Sequence, residues 1–374
     1  MDVVPLRLDT LFLNQTRLAS GLYFIADSEH ELNPSAPKIN TLTRLDESVY
    51  LDSADGVEKE LRDLPDIVAS GDILMVSSNG SQLRTFLTRA SQQNTILVTE
   101  ACENLCVFCS QPPKHTGHIF AEALTALHHF APACTVGITG GEPTLYWDDF
   151  LDFCTSVSSE LPTKSFHVLS HGRNLSDPER VAQIVETGFF ERSYFGIPLH
   201  GHTSMLHDAA TQRGGSFHET VNGLVNLSFC SAPIEVRVIV TRQNFRHLKH
   251  IANFITTYFD SRNVFVAFMQ LEPIGWAKAN YRTLFVEPNE VTAELSSACE
   301  NLQISNFSFG LYNYPYCQIP SKLRKFAHRS ISDWKNYFPQ ECTGCIKKND
   351  CCGFFASAVG PRLTRPKPIY EEDF

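Results

Sequence analysis

Three cysteines, Cys102, Cys106 and Cys109, fall in one short run, TEACENLCVFCSQPPK, with the spacing Cys-x3-Cys-x2-Cys. Three thiolates on one tight loop are enough to hold three irons of a cubic 4Fe–4S cluster, which leaves the fourth iron without a protein ligand. An electron-carrying cluster normally takes four cysteines, so an open iron points to direct binding of a substrate or cofactor. The count also argues against structural zinc, which closes its tetrahedron with four ligands.

About thirty residues further on, GITGGEPTLYWDDF places Gly140, Gly141, Glu142 and Pro143 in succession. Val136 to Thr139 read as the end of a buried strand. The paired glycines let the backbone approach a ligand closely. Glu142 can accept hydrogen bonds from an amine, and Pro143 stiffens the turn. A second cysteine set sits near the C-terminus in ECTGCIKKNDCCGFF, where Cys342, Cys345 and Cys351 are spaced Cys-x2-Cys-x5-Cys and Cys317 precedes them. Four cysteines suffice for a closed site, either 4Fe–4S or zinc. Cys352 adjoins Cys351, so the spacing leaves open which of the two ligates.

The first two motifs, in this order, resemble those of the radical S-adenosylmethionine (radical SAM) superfamily. Its members carry Cys-x3-Cys-x-aromatic-Cys, here with Phe108 in the aromatic slot, followed by a Gly-Gly-Glu-Pro strand end. The resemblance implies that S-adenosylmethionine (SAM) chelates the open iron through its amino and carboxylate groups. One electron from the cluster then cleaves a carbon–sulfur bond, and the resulting 5′-deoxyadenosyl radical takes hydrogen from substrate. It implies that Cys102, Cys106 and Cys109 hold the reducing cluster, that Gly140, Gly141, Glu142 and Pro143 fix the methionine amine, and that Phe108 flanks the adenine. Ser170 falls where relatives touch the ribose, with His171 in place of their usual asparagine, and His200 stands where they often carry aspartate. Arg237, on a strand, fits either a bidentate pair with the SAM carboxylate or a rim ion pair.

The second cysteine set resembles the auxiliary-cluster domains called SPASM and twitch, and the single-cluster twitch form fits better because no cysteine follows Cys352. The strings SQPPK, RSISDWKN and CCGFF resemble the HxsC-type maturases of the His-Xaa-Ser system. This narrower resemblance implies a ribosomally made precursor peptide as substrate, a second radical SAM maturase as a companion and a reductant such as flavodoxin or ferredoxin. Cys317, Cys342, Cys345 and Cys351 would hold an auxiliary 4Fe–4S cluster, and a net oxidative crosslink is the expected chemistry. Two other readings stay open: a radical SAM enzyme acting on a small molecule or nucleoside, and a binding module stapled by zinc at both sets.

Such residues need a scaffold. From residue 95 to 285 the pattern alternates strand and helix, which predicts βα units on a parallel sheet. Six such units match the partial (β/α)6 barrel of radical SAM enzymes, an α/β fold whose functional residues belong at strand C-terminal ends. Residues 1–94 read as a small mixed or strand-rich domain, with VVPLRL, SGLYFIAD, SVYLDSADG and DILMV as strands and VEKELRDLPDIVAS as a short helix. Residues 286–374 read as the twitch-like cluster domain.

At 374 residues the chain exceeds a single core, and 43% hydrophobic content supports a sizeable one. A net charge of −10 and a pI near 5.8 argue against a general nucleic-acid surface. No signal peptide and no run of ~18 apolar residues is evident, so a cytoplasmic protein without a membrane span is expected. Twelve cysteines at ligand spacings in such a chain favour metal binding in a reducing compartment. Of the fourteen histidines, His202 and His207 read as a loop over the barrel mouth, while His128, His129, His247 and His250 read as ordinary helix positions. Cys134, Cys154, Cys230 and Cys299 read as isolated, buried small hydrophobes.

Overall fold

The computed structural model describes residues 10–12, 18–26, 36–46, 49–52, 59–62, 69–91, 93–332, 335–360 and 365–370. The chain begins with strands β1 (Thr10–Phe12), β2 (Gly21–Ala26), β3 (Asn40–Asp46), β4 (Val49–Asp52), β5 (Lys59–Arg62), β6 (Ile73–Val76) and β7 (Gln82–Leu87). They form one mixed sheet in the order β1-β7-β6-β2-β3-β4-β5, antiparallel except for the parallel pair of β2 and β3. The expected helix over VEKELRDLPDIVAS is therefore corrected where the structure describes it: Lys59–Arg62 pairs with Val49–Asp52 as a strand. A neighbouring strand offered this segment a ladder that its weak helical signal did not outweigh. The expected strand VVPLRL lies outside the described residues.

The central sheet is built from β8 (Thr95–Thr99), α1 (Phe120–His129), β9 (Thr135–Gly140), α2 (Trp147–Glu160), β10 (Ser165–Leu169), α3 (Pro178–Glu186) and β11 (Ser193–Pro198). It continues through α4 (Ser204–Thr211), α5 (Ser216–Phe229), β12 (Ile234–Val240), α6 (Leu248–Tyr258) and β13 (Val264–Gln270). Then follow α7 (Gly275–Ala279), α8 (Tyr281–Leu284), α9 (Pro288–Ile304), β14 (Ser308–Tyr312) and β15 (Ala327–His328). Every pair is parallel, and the strands lie side by side in chain order from β8 to β15. The α/β class and the six expected βα units are present. The sheet also runs past residue 285, because α9 packs on α6 and delivers β14 beside β13.

That strand order has a consequence. Crossovers between parallel strands are right-handed, so a sheet that never reverses its order receives all its helices on one face. The residues on that face are apolar: Val136, Ile138, Phe166, Val168, Phe195, Ile197, Val236, Val238, Val266 and Phe268 are fully buried. They form one core with helix residues such as Phe150, Ile184, Leu224 and Ile251. The other face keeps the lumen of a partial barrel and alternates with the first. It carries Gly137, His167, Tyr194, Gly196, Glu235, Arg237, Phe265 and Tyr312, paired in register across the strands. The N-terminal sheet joins the same core through Leu22, Phe24, Ala26, Ile73 and Leu87. Last come β16 (Asn336–Tyr337) and β17 (Phe354–Phe355), a two-stranded antiparallel ribbon among short helical turns.

Gly141, just past β9, is required by its surroundings. A Cβ there would lie 2.1 Å from the Ala101 carbonyl oxygen and 2.9 Å from Cys102 Cβ, and a backbone atom cannot swing aside. Gly214 has open space around the same position. Gly141→Ala is expected to cost ~3 kcal/mol in urea unfolding, whereas Gly214→Ala leaves stability within ~0.5 kcal/mol. Equal effects of the two changes would contradict this account of the turn.

Candidate metal centres

The loop from Ala101 to Cys109 leaves the C-terminal end of β8 and has no regular secondary structure of its own. It is held from every side. Gly141 N–H donates to Thr99 O at 2.8 Å, and Glu142 N–H donates to Ala101 O at 2.8 Å. Leu105 N–H and Val107 N–H donate to Thr211 O and Ala210 O at the end of α4. Trp276 N–H donates to Cys109 O at 2.8 Å, and Asn280 Nδ2 donates to Val107 O at 2.8 Å. Gly275, at φ +56°, lies so close that a Cβ would meet Cys109 O at 2.5 Å.

A buried polar network completes the clamp. The Glu142 carboxylate has no exposure to water. Its Oε1 accepts from Thr144 N at 3.0 Å, Thr144 Oγ1 at 2.5 Å and Ser170 Oγ at 2.8 Å, and its Oε2 accepts from His171 N at 2.7 Å. The His171 ring stands between two carboxylates, with Nδ1 3.2 Å from Glu142 Oε2 and Nε2 3.0 Å from Glu103 Oε2. That bond to His171 holds the Glu103 carboxyl below its ordinary pKa. Arg173 donates to Asn104 Oδ1 at 2.9 Å and pairs with Glu219 on α5.

The structure thus gives several expected ligand-binding residues an engaged state. Glu142 and Ser170 satisfy each other inside the fold. The close approach that Gly140 and Gly141 permit is that of the neighbouring backbone: a Cβ on Gly140 would lie 2.6 Å from Thr99 O at the end of β8, and one on Gly141 would meet Ala101 O in the cysteine loop. Pro143 opens a short helical turn whose first amide is capped by Glu142. Phe108 is buried against Leu271, Ala277 and Leu284, and its ring meets the His200 ring edge-on at 4.7 Å. Arg237 pairs with Glu235 on its own strand, and Glu235 also accepts from Tyr312 Oη at 3.2 Å.

Cys102, Cys106 and Cys109 are brought together. Burial pushes the Cys102 and Cys106 thiols up to about 12; the Glu142 carboxylate raises Cys102 further, and Cys109 and Cys102 raise Cys106. Burial also raises Cys109, whose Sγ donates to Gln111 O at 2.9 Å. Asn104 N–H points at Cys102 Sγ from 3.4 Å. Near neutral pH thiols raised in this way need a bound cation to become thiolates, and three thiolates are a donor set that an iron–sulfur cluster uses.

The second set converges as well. Cys317, Cys342, Cys345 and Cys351 line one cavity together with Tyr316, Phe338, Phe354, Lys347, Lys348 and Lys367. Ile369 N–H and Gly353 N–H donate to Cys345 Sγ and Cys351 Sγ, each at 3.4 Å. Burial pushes Cys342 up to about 11, and a hydrogen bond from Cys352 draws Cys351 down to about 6. The choice between the adjacent cysteines follows from packing. Cys351 lines the cavity, whereas Cys352 is 2% exposed and packs with Ile331, Phe355 and Ala358. Two contacts tie this region to the end of β13: Gln270 Nε2 donates to Gln318 Oε1 at 2.8 Å, and Lys335 reaches Glu272 at 3.1 Å.

Other readings need correction. Cys154 and Cys299 are buried as expected, but Cys134 is half-buried and Cys230 is exposed at the end of α5. His207 belongs to α4 and is fully buried, and burial lowers it to about 4. The bracing roles of Glu103, Asn104, Arg173 and Gly275 had no signature in the sequence, because each depends on a partner far along the chain.

No protein-family model and no curated protein matches the chain. Among solved structures, SuiB of Streptococcus suis aligns over 58% of this chain at 13% identity with a TM-score of 0.45. The chain spans about half of SuiB, 48% of its length. The structure described as anSMEcpe with bound AdoMet and Kp18Cys peptide aligns over 57% of this chain and 62% of its own at 16% identity, TM-score 0.44. A domain of a pyruvate-formate lyase-activating enzyme from Bacteroides vulgatus aligns over 47% of this chain and 97% of its own at 13% identity, TM-score 0.36. Likenesses of this size leave function to be argued from the residues of this chain. Among the described residues no helix is long and apolar enough to cross a membrane.

Two expectations follow. Glu142→Gln puts an amide donor among four donors, so stability falls by ~3 kcal/mol in urea unfolding. A change under ~0.5 kcal/mol would contradict the bracing role. For the metal-free chain, buried thiols with raised pKa values favour the folded state while neutral. That contribution is complete below the ordinary thiol value of 9.0 and is lost as pH rises toward about 12. Cys351, being lowered, contributes in full above 9.0 and does not oppose the fall. Denaturant melts across this range should show declining stability without metal and a flatter profile once the cysteines are ligated. A constant metal-free stability would sink the argument.

Proposed function

We propose that this chain is a radical SAM maturase that modifies, by oxidative crosslinking, a ribosomally made precursor peptide of the His-Xaa-Ser type. The observation that carries the reading is the gathering of Cys102, Cys106 and Cys109 on one half-buried loop at the C-terminal edge of a parallel sheet. That is the end of such a sheet where ligands are handled. Cys102, Cys106 and Cys109 would hold a 4Fe–4S cluster with one open iron, and Cys317, Cys342, Cys345 and Cys351, which line one cavity, would hold a closed one. Among the described residues neither set is already arranged as a metal site, so the sulfurs must close in on the cluster. With SAM bound, a centre held by Cys102, Cys106 and Cys109 would supply one-electron chemistry able to take hydrogen from a peptide carbon, and one held by Cys317, Cys342, Cys345 and Cys351 would offer an electron acceptor.

The residues of this chain do the positioning. Glu142, His171, Glu103, Arg173 and Asn104 brace the backbone of the cysteine loop against the turns after β9 and β10. The turn after β9 is fixed by its own amides: Gly141 N–H donates to Thr99 O at the end of β8, Glu142 N–H to Ala101 O in the cysteine loop, and Leu145 N–H to Glu142 O. Amide hydrogens on Cys102, Cys345 and Cys351 stabilise the reduced form of any cluster bound there. Tyr194 stacks on His167 at 4.1 Å in the lumen, which packs aromatic surface where a radical must be kept from water.

The first test is iron and sulfide per chain after anaerobic reconstitution, with Cys102/Cys106/Cys109→Ala beside the unaltered chain. About eight irons falling to about four is expected for two 4Fe–4S clusters. About four falling to none would remove the second cluster and its electron-acceptor role. Incubation with SAM, a reductant and a His-Xaa-Ser precursor peptide should yield 5′-deoxyadenosine and a peptide lighter by two hydrogens. Turnover of SAM with the peptide mass unchanged would overturn the crosslinking assignment.

A further inference from the structure

Three histidines outside the proposed reaction gather at the mouth of the partial barrel. His202 lies in the loop after β11, and His247 and His250 sit at the cap and first turn of α6, which follows β12. Residues three apart at a helix start share a face, so both rings turn toward His202. The ring centroids are 5.5 Å apart for His202 and His247, 5.1 Å for His202 and His250, and 6.1 Å for His247 and His250. Three imidazoles on one tetrahedral ion, each nitrogen at about 2.1 Å, hold their centroids about 5 Å apart. The ring spacings are therefore close to those of three imidazoles on one ion, although a change of rotamer is needed to bring the nitrogens together.

We propose that His202, His247 and His250 bind a borderline transition-metal ion of the zinc type, separate from both cysteine sets. His202 Nδ1 is shielded from water and has no hydrogen-bond partner, so a metal bond would satisfy it. Among the described residues, no ion pair joins any of the three rings to a carboxylate. Three imidazoles without carboxylates select zinc-like ions over magnesium or calcium. In the conformation described the three nitrogens do not meet at one point. His250 is exposed and His247 half-buried, so both can change rotamer around a fixed His202.

Such an ion would tie the loop after β11 to the start of α6. The same loop carries His200, whose ring packs on Phe108 of the cysteine loop and whose carbonyl accepts from Asn244 Nδ2 at 3.0 Å. With three protein ligands a fourth position stays open to water or to an imidazole or carboxylate from a ligand.

The test uses the full chain, untagged, with its cysteine sets filled by iron–sulfide reconstitution. Calorimetric titration with Zn2+ should show one saturable site. His250→Ala and His247→Ala should each weaken it at least tenfold with iron content unchanged. Zinc absorption spectra at one equivalent should show nitrogen neighbours near about 2.0 Å with imidazole scattering and no sulfur near about 2.3 Å. His250 is exposed, so its variant is expected to fold, and its iron content verifies that. Equal affinity of the unaltered chain and the His202/His247/His250→Ala variant would overturn the proposal, as would a sulfur shell around the bound zinc.

Discussion

A carboxylate sealed from water, Glu142, sets the relation between the cysteine loop and the sheet. Burying a carboxylate costs several kcal/mol unless hydrogen bonds replace its water. Here donors from Thr144, Ser170 and the His171 backbone supply them. Those donors come from the turns after two different strands, so forming the bonds fixes β9, β10 and the loop at once. His171 then passes the constraint on to Glu103, and Arg173 does the same through Asn104. A stretch with no helix or strand of its own cannot place three sulfurs reproducibly. The surrounding network does it instead.

The sheet makes that arrangement accessible. Its strands follow one another in chain order, which sends every helix to one face and leaves the other face for the lumen. The packed face is almost wholly aliphatic and aromatic, and the lumen face carries glycine, histidine, tyrosine, glutamate and arginine. Arg237 shows how the lumen manages charge. It pairs with Glu235, and Glu235 in turn receives the Tyr312 hydroxyl. Burial lowers His167 to about 3, so this ring enters the cluster neutral and stacks on Tyr194.

The C-terminal cysteine region has a different economy. It contains a two-residue ribbon and short helical turns, with one small apolar cluster around Cys352. Apolar burial of that size contributes little to holding a segment in place, and ligation of the four sulfurs, as proposed, would supply the missing cross-links. The ties from Gln318 and Lys335 to the end of β13 attach the region to the sheet.

The sequence by itself determined the βα alternation and the segregation of cysteines into two sets. Hydrophobic period and ligand spacing are local properties, and they are written in order along the chain. The strands from β8 to β13 and the helices between them were legible for that reason. The strand at Lys59–Arg62 was not, because its stability comes from pairing with β4 and not from its own residues. The tertiary structure alone decided the partners of Glu142, Ser170 and Arg237, which side of the Cys351–Cys352 pair faces the cavity, and the meeting of His202 with His247 and His250. Each of these depends on residues brought together from separate elements by packing. A one-dimensional spacing carries no record of such distances.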